Sequence, residues 1–188
     1  NFSLDVLSHV KNKPISFEVF SDNFEQMYKQ AKIISSWSEN VNVKIPISNS
    51  LGKSSIGLIK KLHNENIKLN ITAVFTLDQI KNLSKVLTTD TFSIVSVFAG
   101  RIADTGIDPV PMMKKAKSIL SNPNINLLWA SPREILNFVQ AEDCKVDIIT
   151  LTPDLIKKID NLGKPLKDFS LETVNMFYQD AKASRFIL

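Results

Sequence analysis

Six short runs rich in β-branched and aromatic residues alternate along this chain with longer stretches of helical periodicity, and this alternation limits the available folds more than any other feature. The runs fall at 15–20, 41–47, 69–75, 92–98, 126–130 and 147–151. Amphipathic stretches occupy 22–38, 53–64, 77–86, 109–120 and 132–141, with 153–161 after the last run. Strand and helix patterns in strict succession indicate consecutive βαβ units and a parallel sheet, an α/β fold. Several helix starts carry explicit signals. "TLDQ" at 76–79 has the form of a capping box, while Asp108 and Thr152 stand as N-caps before Pro109 and Pro153. A closed (β/α)8 TIM barrel needs eight such units and typically ~250 residues. The six counted, after an opening "FSLDVLSHVKN" that reads as the tail of a helix, predict a barrel lacking its first two βα units. Residues 1–188 read as one domain, with an extra C-terminal helix at 170–183 that follows the "GKP" break.

Composition removes several functional classes. Hydrophobic residues make up 44% and charged residues 22%, which suits an ordinary globular domain with a sizeable core. The net charge of +4 is spread along helix faces and forms no basic block, which argues against a nucleic-acid partner and leaves room for anionic small molecules. The single cysteine, Cys144, excludes an internal disulfide framework and fits a reducing cytoplasm. No run is apolar enough to span a bilayer, so no membrane partner is expected.

Chemistry concentrates on the second strand. In "VNVKIPIS", residues 41–48, alternation puts Val41, Val43, Ile45 and Ile47 on one face and Asn42, Lys44 and Pro46 on the other. Lysine is almost never fully buried without a partner. Active sites of parallel barrels lie at the C-terminal ends of the strands. The polar residues there are Glu18, Lys44, Asn70 and Thr72, Ser96 with Arg101 just beyond, then Ser131 and Arg133. Burial disfavours the charged form of an amine, so Lys44 is a candidate nucleophile for a Schiff base with a carbonyl substrate. A plain Lys44–Glu18 ion pair filling the barrel explains the same residues, and both readings stand at this point.

Arg101, Ser131 and Arg133 follow neighbouring strands, where such barrels commonly bind phosphate. "SPRE" at 131–134 also reads as a capping box opening the helix at 132. "SLGKSS" at 50–55 imitates a phosphate loop, but position 47 is Ile where the pattern needs Gly, so nucleotide binding is rejected. His63 reads as a cation at a helix C-terminus, Cys144 as a structural thiol, and no cluster has metal-ligand spacing.

Taken together, "VKIPIS", "NITAVFT", "SVFAGRIADTG" and "WASPREIL" are similar to the landmarks of the transaldolase family, above all its small single-domain members. The resemblance runs over essentially the whole chain from Glu18. It implies a class I aldolase-type transferase that moves a dihydroxyacetone unit between sugar phosphates in the pentose phosphate pathway, with neither cofactor nor metal, as a cytoplasmic homo-oligomer. Carried over, Lys44 matches the Schiff-base lysine, Glu18 the glutamate holding the catalytic water, and Thr72 the threonine sharing it. Asn70 and Ser96 match residues that hold the dihydroxyacetone hydroxyls, and Arg101, Ser131 and Arg133 the phosphate-binding set. The fructose-6-phosphate aldolase branch is expected to carry Gln at Glu18 and Tyr at Phe98, so Phe98 joins the substrate-contacting group with the transferase choice. The family's general acid/base aspartate and its "TNPS"-like loop have no counterpart in the sequence. Two alternatives follow, a fructose-6-phosphate aldolase or a non-catalytic sugar-phosphate-binding fragment.

Overall fold

A computed structural model describes residues 2–185. Its chain forms two compact units, Asn1–Leu151 and Thr152–Leu188. In the first, strands β1 (Ile15–Glu18), β2 (Val41–Pro46), β3 (Leu69–Val74), β4 (Ser93–Val97), β5 (Ile125–Trp129) and β6 (Ile148–Ile149) make one parallel sheet in the order 1-2-3-4-5-6. Helices α1 (Phe2–His9), α2 (Phe24–Ser35), α3 (Ile56–Asn64), α4 (Leu77–Ser84), α5 (Ala99–Ala103), α6 (Val110–Ile119) and α7 (Leu136–Asp143) precede and connect them. Doubly wound open sheets reverse their strand order at a switch point. Here every strand pairs with its sequence neighbour, the order of a partial TIM barrel.

The period-2 pattern explains how the two faces divide. Val41, Val43, Ile45, Leu69, Ile71, Val95, Val97, Leu127 and Trp129 join Met27, Ala31 and Ile34 of α2, Ile59 and Leu62 of α3, Ile80 and Leu83 of α4, and Met113 and Ala116 of α6 in one buried cluster. Full burial of each Val, Leu, Ile or Met side chain among them stabilises the fold by about 1.5–3 kcal/mol. The alternate strand positions give a separate, smaller cluster of Ile94, Leu128 and Ala130, with Phe92, Phe98 and Ile148 against it.

Most local signals act as the sequence implies. Thr76 and Gln79 form a reciprocal capping box on α4, and the Thr152 hydroxyl accepts the Leu155 N–H at the start of α8 (Pro153–Lys157). Asp108 accepts the Val110 N–H at 3.0 Å, but α6 (Val110–Ile119) starts one residue later than expected, so the N-cap position falls on Pro109 and not on Asp108. The 49–54 segment closes on itself, with Asn49 Oδ1 accepting the N–H groups of Leu51 and Lys53, which leaves the phosphate-loop imitation as a tight turn. In the second unit a 3-10 turn at Ile159–Asn161 follows α8, and α9 runs over Leu166–Ser184, starting four residues before the expected 170.

Two expectations fail. "SPRE" does not cap a helix, because α7 begins at Leu136 without a side-chain cap. Asn137 Oδ1 instead accepts the N–H groups of Arg133 (2.7 Å) and Glu134 (3.3 Å), holding the segment as a turn, and Ser131 takes a left-handed φ of 61°. His63 is not a solvated cation at a helix end. Its ring is wholly buried, Nε2 accepts the Thr89 N–H at 3.2 Å, and Nδ1 lies 3.3 Å from Ser93 Oγ. Burial depresses its pKa from the ordinary histidine value. Cys144 is buried with its thiol 3.7 Å from the Val110 carbonyl, and burial raises its pKa.

Candidate active site

Register is what assembles the site. β1 and β2 pair Glu18 with Lys44, and β2 and β3 pair Lys44 with Asn70, so three of the candidate side chains stand in one row across three strands. They share the face opposite the main core. Lys44 Nζ lies 3.1 Å from Glu18 Oε2, and the two side chains are 30% and 45% exposed. The lysine is therefore a partly solvated, paired amine at the edge of a pocket and not an isolated buried one, so the ion pair that the sequence allowed is present.

The pocket is a cavity of about 450 Å³ against the strands, with Lys44, Asn70, Thr72, Ser96, Phe98 and Ser131 in its lining. Asn70 organises its floor. Its Nδ2 donates to Ser16 Oγ at 3.0 Å and its Oδ1 accepts from Ser96 Oγ at 2.7 Å, a chain that links β1, β3 and β4 across β2. Thr72 sits at a register shift in β3 between Ile71 and Val74, where Ala73 adopts a φ of 58°. Bulges of this kind re-aim side chains beside functional sites. Thr72 Oγ1 is buried and finds no hydrogen-bond partner among the described residues, as does Asn42 Oδ1. Unpaired buried polar atoms are costly, and two on one face suit a surface that receives a polar ligand.

At the other end, the loops after β4 and β5 are locked together. Gly100 N donates to the Ala130 carbonyl at 3.3 Å, and a Cβ on Gly100 would overlap the Ser131 carbonyl. Arg101 stands with its guanidinium 5.1 Å from the centre of the Phe98 ring. Arg133 donates through Nε to both carboxylate oxygens of Asp104, at 3.0 and 2.9 Å, and through Nη2 to Oδ2. That guanidinium holds the Asp104 carboxyl below the ordinary carboxylate range, the Arg101 charge adding to the effect, and Asp104 in turn raises the Arg133 pKa.

Of the nine residues singled out in the sequence, six line one cavity and three stand outside its lining. Lys44, Asn70, Thr72, Ser96, Phe98 and Ser131 line the cavity, Glu18 pairs with Lys44, and both arginines follow lining residues closely in the chain. Ser16, Asn42, Thr150 and Asp104 escaped notice as site residues. Alternation flagged Asn42, and with Glu18 as reference it also flags Ser16. Asp104 had no signal, because its link to Arg133 spans 29 positions.

Comparison with known proteins follows the same lines. The family described as "Transaldolase/Fructose-6-phosphate aldolase" matches residues 1–187. A protein named "Probable transaldolase" from Brucella ovis is 28% identical over 169 residues, covering 89% of this chain and 73% of its own length. "Probable transaldolase 2" from Listeria monocytogenes is 30% identical over 161 residues, covering 85% and 69%. A "Probable transaldolase" from Nitrosopumilus maritimus is 28% identical over 184 residues, covering 96% and 78%. With a lysine–carboxylate pair at the edge of a cavity on a parallel β/α scaffold and a family match across nearly its full length, the chain belongs to the transaldolase/fructose-6-phosphate aldolase family.

Proposed function

We propose that this protein transfers a dihydroxyacetone unit from a ketose phosphate, sedoheptulose 7-phosphate or fructose 6-phosphate, to an aldose phosphate, glyceraldehyde 3-phosphate or erythrose 4-phosphate, through a Schiff base on Lys44. The observation that carries the reading is the row Glu18–Lys44–Asn70, with the amine 3.1 Å from a carboxylate at the edge of the cavity. Lys44 gives up a proton, for which Glu18 is the adjacent acceptor, and attacks the C2 ketone. Loss of water leaves an iminium. When the C3–C4 bond breaks, its electron pair flows into the iminium to give an enamine, the C4 hydroxyl loses its proton to a base, and the aldose phosphate departs. The enamine then adds to the acceptor aldehyde, and hydrolysis frees Lys44. Glu18 and Thr72 are the pair suited to holding the water of the first and last steps, while Asn70 and Ser96 suit the hydroxyls of the bound unit. Arg101, Ser131 and Arg133 are assigned to phosphate.

The base for C–C cleavage is, by the family resemblance, an aspartate on a strand beyond the six described, and we read the sheet as part of an eight-stranded barrel completed by two further βα units. Glu18 and Phe98 support transfer over the aldolase reaction, in which the enamine is protonated and released. A cytoplasmic homo-oligomer acting on sugar phosphates is the setting that fits. Among the described residues no helix is long and apolar enough to cross a membrane.

Borohydride reduces an iminium to a stable secondary amine, so fructose 6-phosphate with borohydride is expected to add mass to the peptide containing Lys44. Lys44→Arg is expected to abolish the gain while the protein stays folded, because arginine remains protonated. No adduct, or one at Lys53 or Lys60, would make the lysine structural and the reading wrong.

A further inference from the structure

Asp104 caps the C-terminal end of α5, and nothing in the catalytic scheme above uses it. Its carboxylate engages one edge of Arg133, taking the Nε–H and one Nη2–H. A guanidinium carries five N–H donors in a planar fork, so three remain. The free Nη1–Nη2 edge is a second bidentate face, matched to the oxygen spacing of a phosphate. The main chain of Arg133 is pinned as well, through its N–H to Asn137 Oδ1 at 2.7 Å. Arginine loses about 2 kcal/mol of rotamer entropy when it is ordered, and the two-point contact with Asp104 offsets part of that cost before a ligand arrives. Arg101 is oriented separately against Phe98. The three charges, Arg101, Arg133 and Asp104, sum to +1, so the corner keeps a net attraction for an anion.

We infer that Asp104 is a positioning residue that holds Arg133 so that its free edge meets the phosphate of the substrate. This rests on the proposed assignment of Arg133 to phosphate. The same contact allows an opposite role, in which Asp104 neutralises Arg133 and must be displaced, and the two roles differ in the sign of one measurement.

The test measures borohydride trapping on Lys44 as a function of substrate concentration, with fructose 6-phosphate and, separately, with dihydroxyacetone, which carries no phosphate. The readout is the ratio of the two half-saturating concentrations. Asp104→Asn is expected to raise this ratio about tenfold, the effect of losing a well-oriented charged hydrogen bond, and Asp104→Glu to bring it back toward the native value. If the Asn variant does not fold, Asp104→Ser removes the same bidentate acceptor and is read in the same way. A fall in the ratio would establish the blocking role, and an unchanged ratio would leave Asp104 a mere surface ion pair; either overturns the inference. Arg133→Gln separates the two levels of the argument. If it raises the ratio while Asp104→Asn does not, the phosphate assignment survives and the positioning role falls. If neither moves the ratio, both fall, and if native protein gives no adduct with either ketone, the Lys44 reading falls and takes this one with it.

Discussion

Lys44 and His63 show how a residue's sequence neighbourhood can point in opposite directions. Lys44 occupies an inward position on β2 among residues of strict alternation, and the parallel register delivers it to Glu18 and Asn70. Its face was legible because period 2 is a property of the strand alone. His63 lies near the end of α3, where a solvated cation near the helix dipole is the ordinary outcome. Its burial comes from Thr89 and Ser93, 26 and 30 positions away, which no local pattern encodes. The neutral ring follows from that burial, and a pH dependence follows from the neutral ring. The unfolded chain takes up a proton near the ordinary histidine value of 6.5, whereas the folded protein does so only at lower pH. As pH falls through 6.5 the unfolded state binds more protons, so this part of the stability is present above that pH and is lost below it. Urea midpoints are expected to drop between pH 7.5 and 5.5, and to drop less in His63→Gln. An identical drop in that variant would place the titrating group elsewhere.

At the scale of elements, strands and helix starts with their own chemistry appear where the sequence puts them, within a residue or two at their ends. The clearest exception is the segment after β5, although α3 also starts three residues later and α9 four residues earlier than expected. Ser131, Pro132 and Glu134 satisfy the local rule for a helix start, yet the chain withholds the helix until Leu136 because Asn137 reaches back to take two N–H groups. The left-handed Ser131 brings its carbonyl against Gly100, a tertiary contact that outweighs the cap. Gly100 is thus the hinge pin between the loops that carry Arg101 and Arg133. Gly100→Ala is expected to destabilise the fold by about 3 kcal/mol, since a backbone carbonyl cannot move aside as a flexible side chain can. Gly57→Ala makes a sharp control. Inside α3 a Cβ there meets nothing within 4 Å, and removing a helical glycine is expected to raise stability by up to about 1 kcal/mol. Equal effects of the two substitutions in chemical denaturation would refute the role given to the Gly100–Ser131 contact.

For the molecule as a whole, the sequential strand order and the division into a helix-covered face and a polar face are both consequences of alternation repeated strand after strand, which is why the barrel class could be read before any coordinates. What alternation does not reach is the fate of the last helix. No residue of α9 is buried, and Leu166, Leu171, Val174, Met176, Phe177 and Tyr178 are each more than half exposed. Isolated exposed apolar residues are unremarkable, but a run of them on one 19-residue helix is a contiguous surface of the kind that marks an interface. We propose that this face of α9 docks on a neighbouring copy of the chain, in keeping with the homo-oligomer proposed above. The competing fate is a helix that serves only its own chain. Sedimentation velocity distinguishes them: the chain is expected to run as an oligomer, and deletion of the residues after Pro165 to shift it toward monomer. A monomeric mass that the deletion leaves unaltered would refute this docking, and the exposed face of α9 would then need a different partner.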